Sequence, residues 1–303
     1  VVYTATPSPT STPTPLPPLA ILLAPPGTDP ALVEAAGSAF SQMARDVGLR
    51  WEMRPSLSAS ELTPDLRLVV AFPPAPGLEN VIQSAPGVQF LAIGIPGLPS
   101  LPNLSQVGPE GNRPEQAAFM AGILAAMITD EWRVGVISLA DTSEGIAARQ
   151  AFLEGAVFFC GLCRQVHPPY YKYPLYVEFP SNASQAERLS AVNALADRYV
   201  KTVYLFPGAS DAALVKALVE AGIGIIGGAS PGEALPAQWI ATVRENPAVS
   251  IQTLLPDLWS GKGGTILPMP LEIVDINPDL FSPGRQALAQ KYLADIITGV
   301  ITL

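Results

Sequence analysis

What most constrains this chain is a repeated alternation of short, wholly apolar runs with longer segments whose apolar residues recur every three or four positions. A run that is apolar at every position needs cover on both faces, and segments with helical periodicity supply it. The pattern therefore predicts β-α units built around a parallel sheet. The first unit is a buried strand over Leu19–Ala24 (LAILLA) and a helix over Pro30–Val47, on which Leu32, Val33, Ala36, Phe40, Met43 and Val47 share a face. Thr28 or Asp29 stands where that helix is capped. Strands over 50–54, 66–72 and 88–93 and helices over 77–84 and 113–128 complete a first lobe.

A second series begins at Trp132, with strands over 133–139, 175–179, 202–206 and 224–226 and helices over 143–159, 184–199 and 211–221. The tail adds a strand over 240–243, a helix over 247–260, an extended run over 269–276 and a helix over 283–297. The halves repeat one plan without obvious sequence identity, so the expected fold class is α/β: two doubly wound, Rossmann-like parallel-sheet lobes joined by a hinge. The expected division is a stalk over 1–18, a first lobe over 19–130 with roughly 240–268, and a second over 131–239 with roughly 269–303.

The stalk expectation rests on Thr4–Pro18, TATPSPTSTPTPLPP, which has six prolines and no charge and reads as an extended spacer. With no initiator Met, a removed signal segment is expected, with a lipid-modified Cys ahead of Val1, which gives an extracytoplasmic, membrane-tethered location; the alternative is a linker to another, cytosolic domain upstream. Hydrophobic residues make up 49% of the chain and charged ones 14%, yet no run reaches the roughly 18 uninterrupted apolar residues that a span needs. The 17 Lys and Arg residues are scattered singly in a chain of formal net charge -9, which argues against a nucleic-acid partner, since phosphate binding needs a clustered basic face.

Motifs for catalysis are absent. His167, the sole histidine, lies in the loop-like HPPYYKY, and there is no G-x-S-x-G, zinc-ligand or phosphate-loop pattern. GKGGT at Gly261–Thr265 follows a helix and reads as a turn. Cys160 and Cys163 follow a helical run where a thioredoxin-type pair precedes one, and are read as a local disulfide or two quiet thiols. The expectation is a binding protein, not an enzyme, with no cofactor and no metal. Tyr170–Tyr176 (YYKYPLY) fits either a strand lining a cleft or a surface edge.

In open parallel sheets a ligand lies beyond the carboxyl ends of the strands. Here the loops at those ends are 25–29, 72–74, 94–96, 140–143, 179–182, 206–210 and 228–231. They nominate Thr28, Asp29, Phe72, Asp141, Phe179, Phe206 and Ser230 as ligand-binding residues, with Arg244 added at the end of a strand. Each has a structural alternative. The aromatics can close the core, Asp29 and Asp141 can cap helices, and Arg244 can pair with Glu245 or another acid.

The segment Pro102–Phe159 resembles the middle of the basic membrane protein family, whose members are nucleoside-binding lipoproteins of ABC transporters with the type I periplasmic-binding fold. The resemblance is carried by EQAAFMAGILAAMIT, RVGVIS and FLEGA in that order and spacing, and more faintly by AALVKALVEAGIGIIGG at Ala212–Gly228. It implies a ligand held in a cleft between the lobes. Of the family's contact positions, the first-loop acid is kept as Asp29, while its stacking Phe falls on Leu32 and its Asn on Val33. Its ribose-holding Asp falls near Ala229, its Lys on Arg244, the aromatic before the first-lobe helix on Asn112 and the following acid on Gln116. The function implied is the extracytoplasmic solute-binding component of an ABC transporter, partnered by a membrane permease. Its ligand is a small polar or heterocyclic molecule, nucleoside-like among the options. A cell-surface ligand-sensing domain uncoupled from transport is the alternative.

Overall fold

The computed structural model describes residues 16–28, 30–111, 113–232 and 234–303; the expected stalk up to residue 15, Asp29 and Asn112 lie outside the described residues. Along the chain run β1 (Leu19–Leu23), α1 (Pro30–Val47), β2 (Arg50–Arg54), β3 (Leu66–Ala71), α2 (Leu78–Ser84), β4 (Gln89–Ile93) and β5 (Leu104–Val107). Then come α3 (Pro114–Ile128), β6 (Val134–Leu139), α4 (Ser143–Cys160), β7 (Leu175–Phe179), α5 (Gln185–Ala196), β8 (Thr202–Leu205), α6 (Ala212–Glu220), β9 (Gly224–Gly227) and β10 (Trp239–Glu245). The chain ends with α7 (Ala248–Trp259), β11 (Ile266–Leu267), β12 (Leu271–Val274) and α8 (Pro283–Ile297).

Strands β1, β6, β8 and β9 are buried at every position, as continuous apolar runs in a doubly covered sheet must be. The strands form two six-stranded sheets, ordered β2-β1-β3-β4-β5-β11 and β7-β6-β8-β9-β10-β12. In the first, β1 runs parallel to both β2 and β3; in the second, β6 runs parallel to both β7 and β8, and only β12 is antiparallel to its neighbour β10. Each sheet thus reverses its direction of travel after its first strand, between β1 and β3 in one and between β6 and β8 in the other.

Two compact units follow, the first comprising the described residues up to Gln106 with Ala248–Ile266, the second Val107–Pro247 with Leu267–Leu303. Helix α3, grouped with the first lobe in the sequence reading, packs on α4, α8, β8 and β10 of the second unit. The expected return of the strand near 240 to the first lobe is also not what is found, because β10 hydrogen-bonds alongside β9. It is α7 that returns, packing on α1, β3 and β4.

Helix α3 is buried at every position from Ala117 to Met127, and small residues let α4 approach it closely. A Cβ added to Gly122 would lie 2.3 Å from the carbonyl oxygen of Phe152, and one on Gly155 would lie 2.1 Å from that of Phe119. Around this contact the second core gathers Phe152, stacked on Tyr204 at 5.9 Å, with Trp239 and Phe281. The first core gathers Ile21, Val69, Ile82 and Phe90. No helix of the described residues is long and apolar enough to cross a membrane.

Candidate functional site

A parallel sheet offers a ligand its loops at the carboxyl edge beside the reversal point, where the two flanking connections leave toward opposite faces. In the second unit these are the loops after β6 and β8, bordered by the loop after β7.

Asp141, in the loop after β6, does not cap α4: Thr142 does, its Oγ1 accepting from the Gly145 N–H at 3.0 Å. The Asp141 carboxylate instead accepts from the backbone N–H and the hydroxyl of Ser181, both at 2.8 Å, tying the loop after β6 to the loop after β7. Those bonds, the hydroxyl's first, hold its carboxyl below the ordinary aspartate value. Arg188 on α5 continues the tie. It donates to the carbonyls of Ser181 at 3.0 Å and Ala183 at 3.2 Å, and to Asp211 beside the loop after β8 at 3.4 Å. Its guanidinium lies 5.1 Å from the centre of the Phe179 ring. Three carboxyl-edge loops are thereby fixed relative to one another by charge-assisted bonds.

Farther along the same edge, Glu245 ends β10 and accepts from the backbone N–H of Arg113 at 2.9 Å, at the start of α3. Burial pushes its carboxyl up and the nearby Glu115 adds to this, while the N–H and guanidinium of Arg113 pull the other way. Arg113 itself donates to Glu115 at 2.7 Å and Glu110 at 2.6 Å. Tyr204, fully buried on β8, has its phenol raised by burial and further by Glu245. Gly228, after β9, leaves room for that phenol, since a Cβ there would lie 2.7 Å from the hydroxyl oxygen.

The nominated residues are thus distributed unevenly. Phe72, Phe179 and Phe206 are all buried at the ends of β3, β7 and β8. Ser230 is exposed, with its hydroxyl accepting from the Gly232 N–H at 3.4 Å. Arg244 reaches sideways to β12, its Nε 2.7 Å from Glu272, and does not pair with Glu245. In the first unit Thr28 closes a turn after β1, its hydroxyl donating to the Pro25 carbonyl at 2.8 Å, and Phe72 donates its backbone N–H to Leu23 at 3.0 Å across the reversal point. Asp29 and Asn112 lie outside the described residues.

Sequence reasoning passed over Ser181, Arg188 and the half-buried Glu245 as site residues. Glu245 carried a usable signal, an acid two residues beyond the apolar run 240–243, and Ser181 lay in the nominated loop 179–182; Arg188 carried none, being a common residue type on a polar helix. Cys160 and Cys163 are disulfide-bonded. Among the described residues no group of His, Cys, Asp and Glu is placed to hold a metal ion.

No family model and no curated protein matches this chain. Solved structures do. A solute-binding protein of an ABC transporter system from Aeropyrum pernix K1 is 15% identical over 95% of this chain and 93% of its own, with a TM-score of 0.60. A transcriptional activator of the comK gene from Bacillus halodurans is 13% identical over 93% and 98%, with a TM-score of 0.61. A LacI family transcriptional regulator from Enterococcus faecium, with bound ribose, is 13% identical over 86% and 99%, with a TM-score of 0.54. With its two parallel α/β sheets of six strands each, the chain has the type I periplasmic-binding-protein fold.

Proposed function

We propose that this chain is a non-catalytic solute-binding protein, the extracytoplasmic component of an ABC transporter, which takes up a small polar or heterocyclic ligand. The observation that carries the reading is the locked carboxyl edge of the second sheet. There Asp141, Ser181 and Arg188 hold three loops in place beside the reversal point, and Glu245 offers a half-buried carboxyl at the end of β10. A preformed polar rim lowers the ordering cost of capturing a small molecule. A lipid anchor and a membrane permease as partner complete the reading. Nucleosides head the ligands to try, because the segment Pro102–Phe159 resembles nucleoside-binding lipoproteins.

The test is mass spectrometry of small molecules that co-purify with the protein, followed by thermal-shift screening of nucleosides, nucleobases and sugars. A ligand present at 100 times its Kd adds about 2.7 kcal/mol to stability. Absence of any co-purifying molecule together with no shift across the panel would overturn the reading. The second reading is a cell-surface ligand-sensing domain uncoupled from transport, since the fold also serves ligand-bound regulators such as the one matched with ribose. Ligand-stimulated transport on reconstitution with the cognate permease decides against it.

A further inference from the structure

The loop leaving α4 carries exposed cations and no acids of its own. From Gly155 to Val177 there is no Asp or Glu, while Arg164 and Lys172 are both exposed. Beyond α4 the side chains alternate: Leu162, Arg164 and Val166 are exposed, Cys163 is buried and Gln165 is half-buried. Leu162 is 76% exposed, Val166 72% and Tyr170 68%, with Tyr171 beside them. Single exposed apolar side chains are ordinary on a protein surface, but four within ten residues of one loop are a local concentration.

The loop is held by its inward side. Cys163 is bonded to Cys160, and the Gln165 side chain donates to the Cys163 carbonyl at 2.7 Å. The His167 N–H donates to Glu131 at 3.0 Å, and Arg133 donates to the His167 carbonyl at 3.0 Å. Glu131, which reaches the loop at His167, is itself paired with Arg133 at 2.7 Å. These bonds fix the backbone and leave the apolar tips in water.

We propose that this loop is a membrane-surface contact that sets Leu162, Val166 and Tyr170 into the headgroup boundary of an anionic bilayer, with Arg164 and Lys172 on lipid phosphates. Tyrosines, aliphatic tips and long cationic side chains together are the composition of a bilayer interface, where the cations reach outward along their own apolar stems. The stretch itself holds no acid, and Glu131, which meets it at His167, is paired with Arg133, so repulsion from an anionic surface is small here. The inference stands apart from the ligand reading, since it uses none of the carboxyl-edge residues.

The experiment is co-sedimentation of the full chain, without an acyl anchor, with phosphatidylcholine vesicles and with vesicles that also contain phosphatidylglycerol. Binding to the anionic vesicles is expected to exceed that to the neutral ones by about ten-fold and to weaken with salt. A Leu162→Ser, Val166→Ser double variant should lose at least about five-fold in binding, and an Arg164→Glu, Lys172→Glu variant should lose the anionic preference. The altered side chains are exposed, so unchanged thermal midpoints are expected and establish that both variants are folded. Lack of sedimentation with either vesicle, or equal sedimentation of wild type and the Leu162→Ser, Val166→Ser variant, overturns the proposal. Capture by protein-containing native membranes but not by lipid vesicles overturns it too, and assigns the loop to a protein partner.

Discussion

Glu245 is a carboxyl partly withdrawn from water that accepts from the backbone N–H of Arg113, and its ionisation works against the fold. Its pKa is raised above the ordinary 4.5 chiefly by burial. A carboxyl with a folded-state value above its unfolded one contributes stability that is fully present below pH 4.5 and is lost as pH rises through the raised value. Glu245→Gln keeps an acceptor for the Arg113 N–H and removes the charge. The variant should therefore match wild type in acid and melt at a higher temperature near neutral pH. Melting curves across that range check it, and an equal gap at every pH would show that Glu245 is not desolvated. Asp141 is the opposite case, an exposed carboxylate whose two bonds to Ser181 lower its value. Those bonds are lost as pH falls through its lowered value, so the rim around the loops after β6 and β7 should loosen only in strong acid.

At the scale of elements, α3 and α4 of the second unit meet backbone to backbone. Gly155 faces a backbone carbonyl, which cannot swing aside as a side-chain tip can. Gly155→Ala should therefore destabilise by about 3 kcal/mol, the upper part of the range for overpacking. Gly284, in the first turn of α8, has nothing within 4 Å of an added Cβ, and Gly284→Ala should stabilise by about 0.5 kcal/mol through helix propensity. Urea midpoints of the two variants check the contrast; similar shifts would mean that α4 moves away freely. Much of this architecture was legible in the sequence. The helices at Pro30–Val47 and Pro283–Ile297 and the strands at Arg50–Arg54 and Leu175–Phe179 end where the periodicity ends. Strands β5 and β11 were not legible, because LSQV and the two-residue IL have no apolar run to announce them. The placement of α3 was not legible either. A helix apolar on all sides declares that it is covered but not by which sheet. The same limit held at the site. Strand order located the loops, but the bond from Ser181 to Asp141 spans 40 residues and belongs to no local pattern.

At the scale of the whole molecule, each unit is completed by chain that comes after Pro247. The first unit takes back α7, whose Ile251, Leu254, Leu255 and Leu258 are buried on α1, β3 and β4. The second takes β12 and α8, burying Phe281, Ala289, Leu293 and Ile296. Burial of four large aliphatic side chains is worth on the order of 6–12 kcal/mol, which is comparable with the whole net stability of a typical domain. A chain ending at Pro247 is therefore predicted to lose both units together, even though it retains nearly all of both sheets. It should show helical and strand signal in the far-ultraviolet, bind a hydrophobic dye, and unfold without a sharp transition. Adding a 248–303 fragment in trans should restore part of the cooperativity. A truncated chain that melts sharply near the full-length midpoint would show that the returning segment decorates two cores that are already complete, and that the three crossings of the chain between the units are not what makes each unit fold.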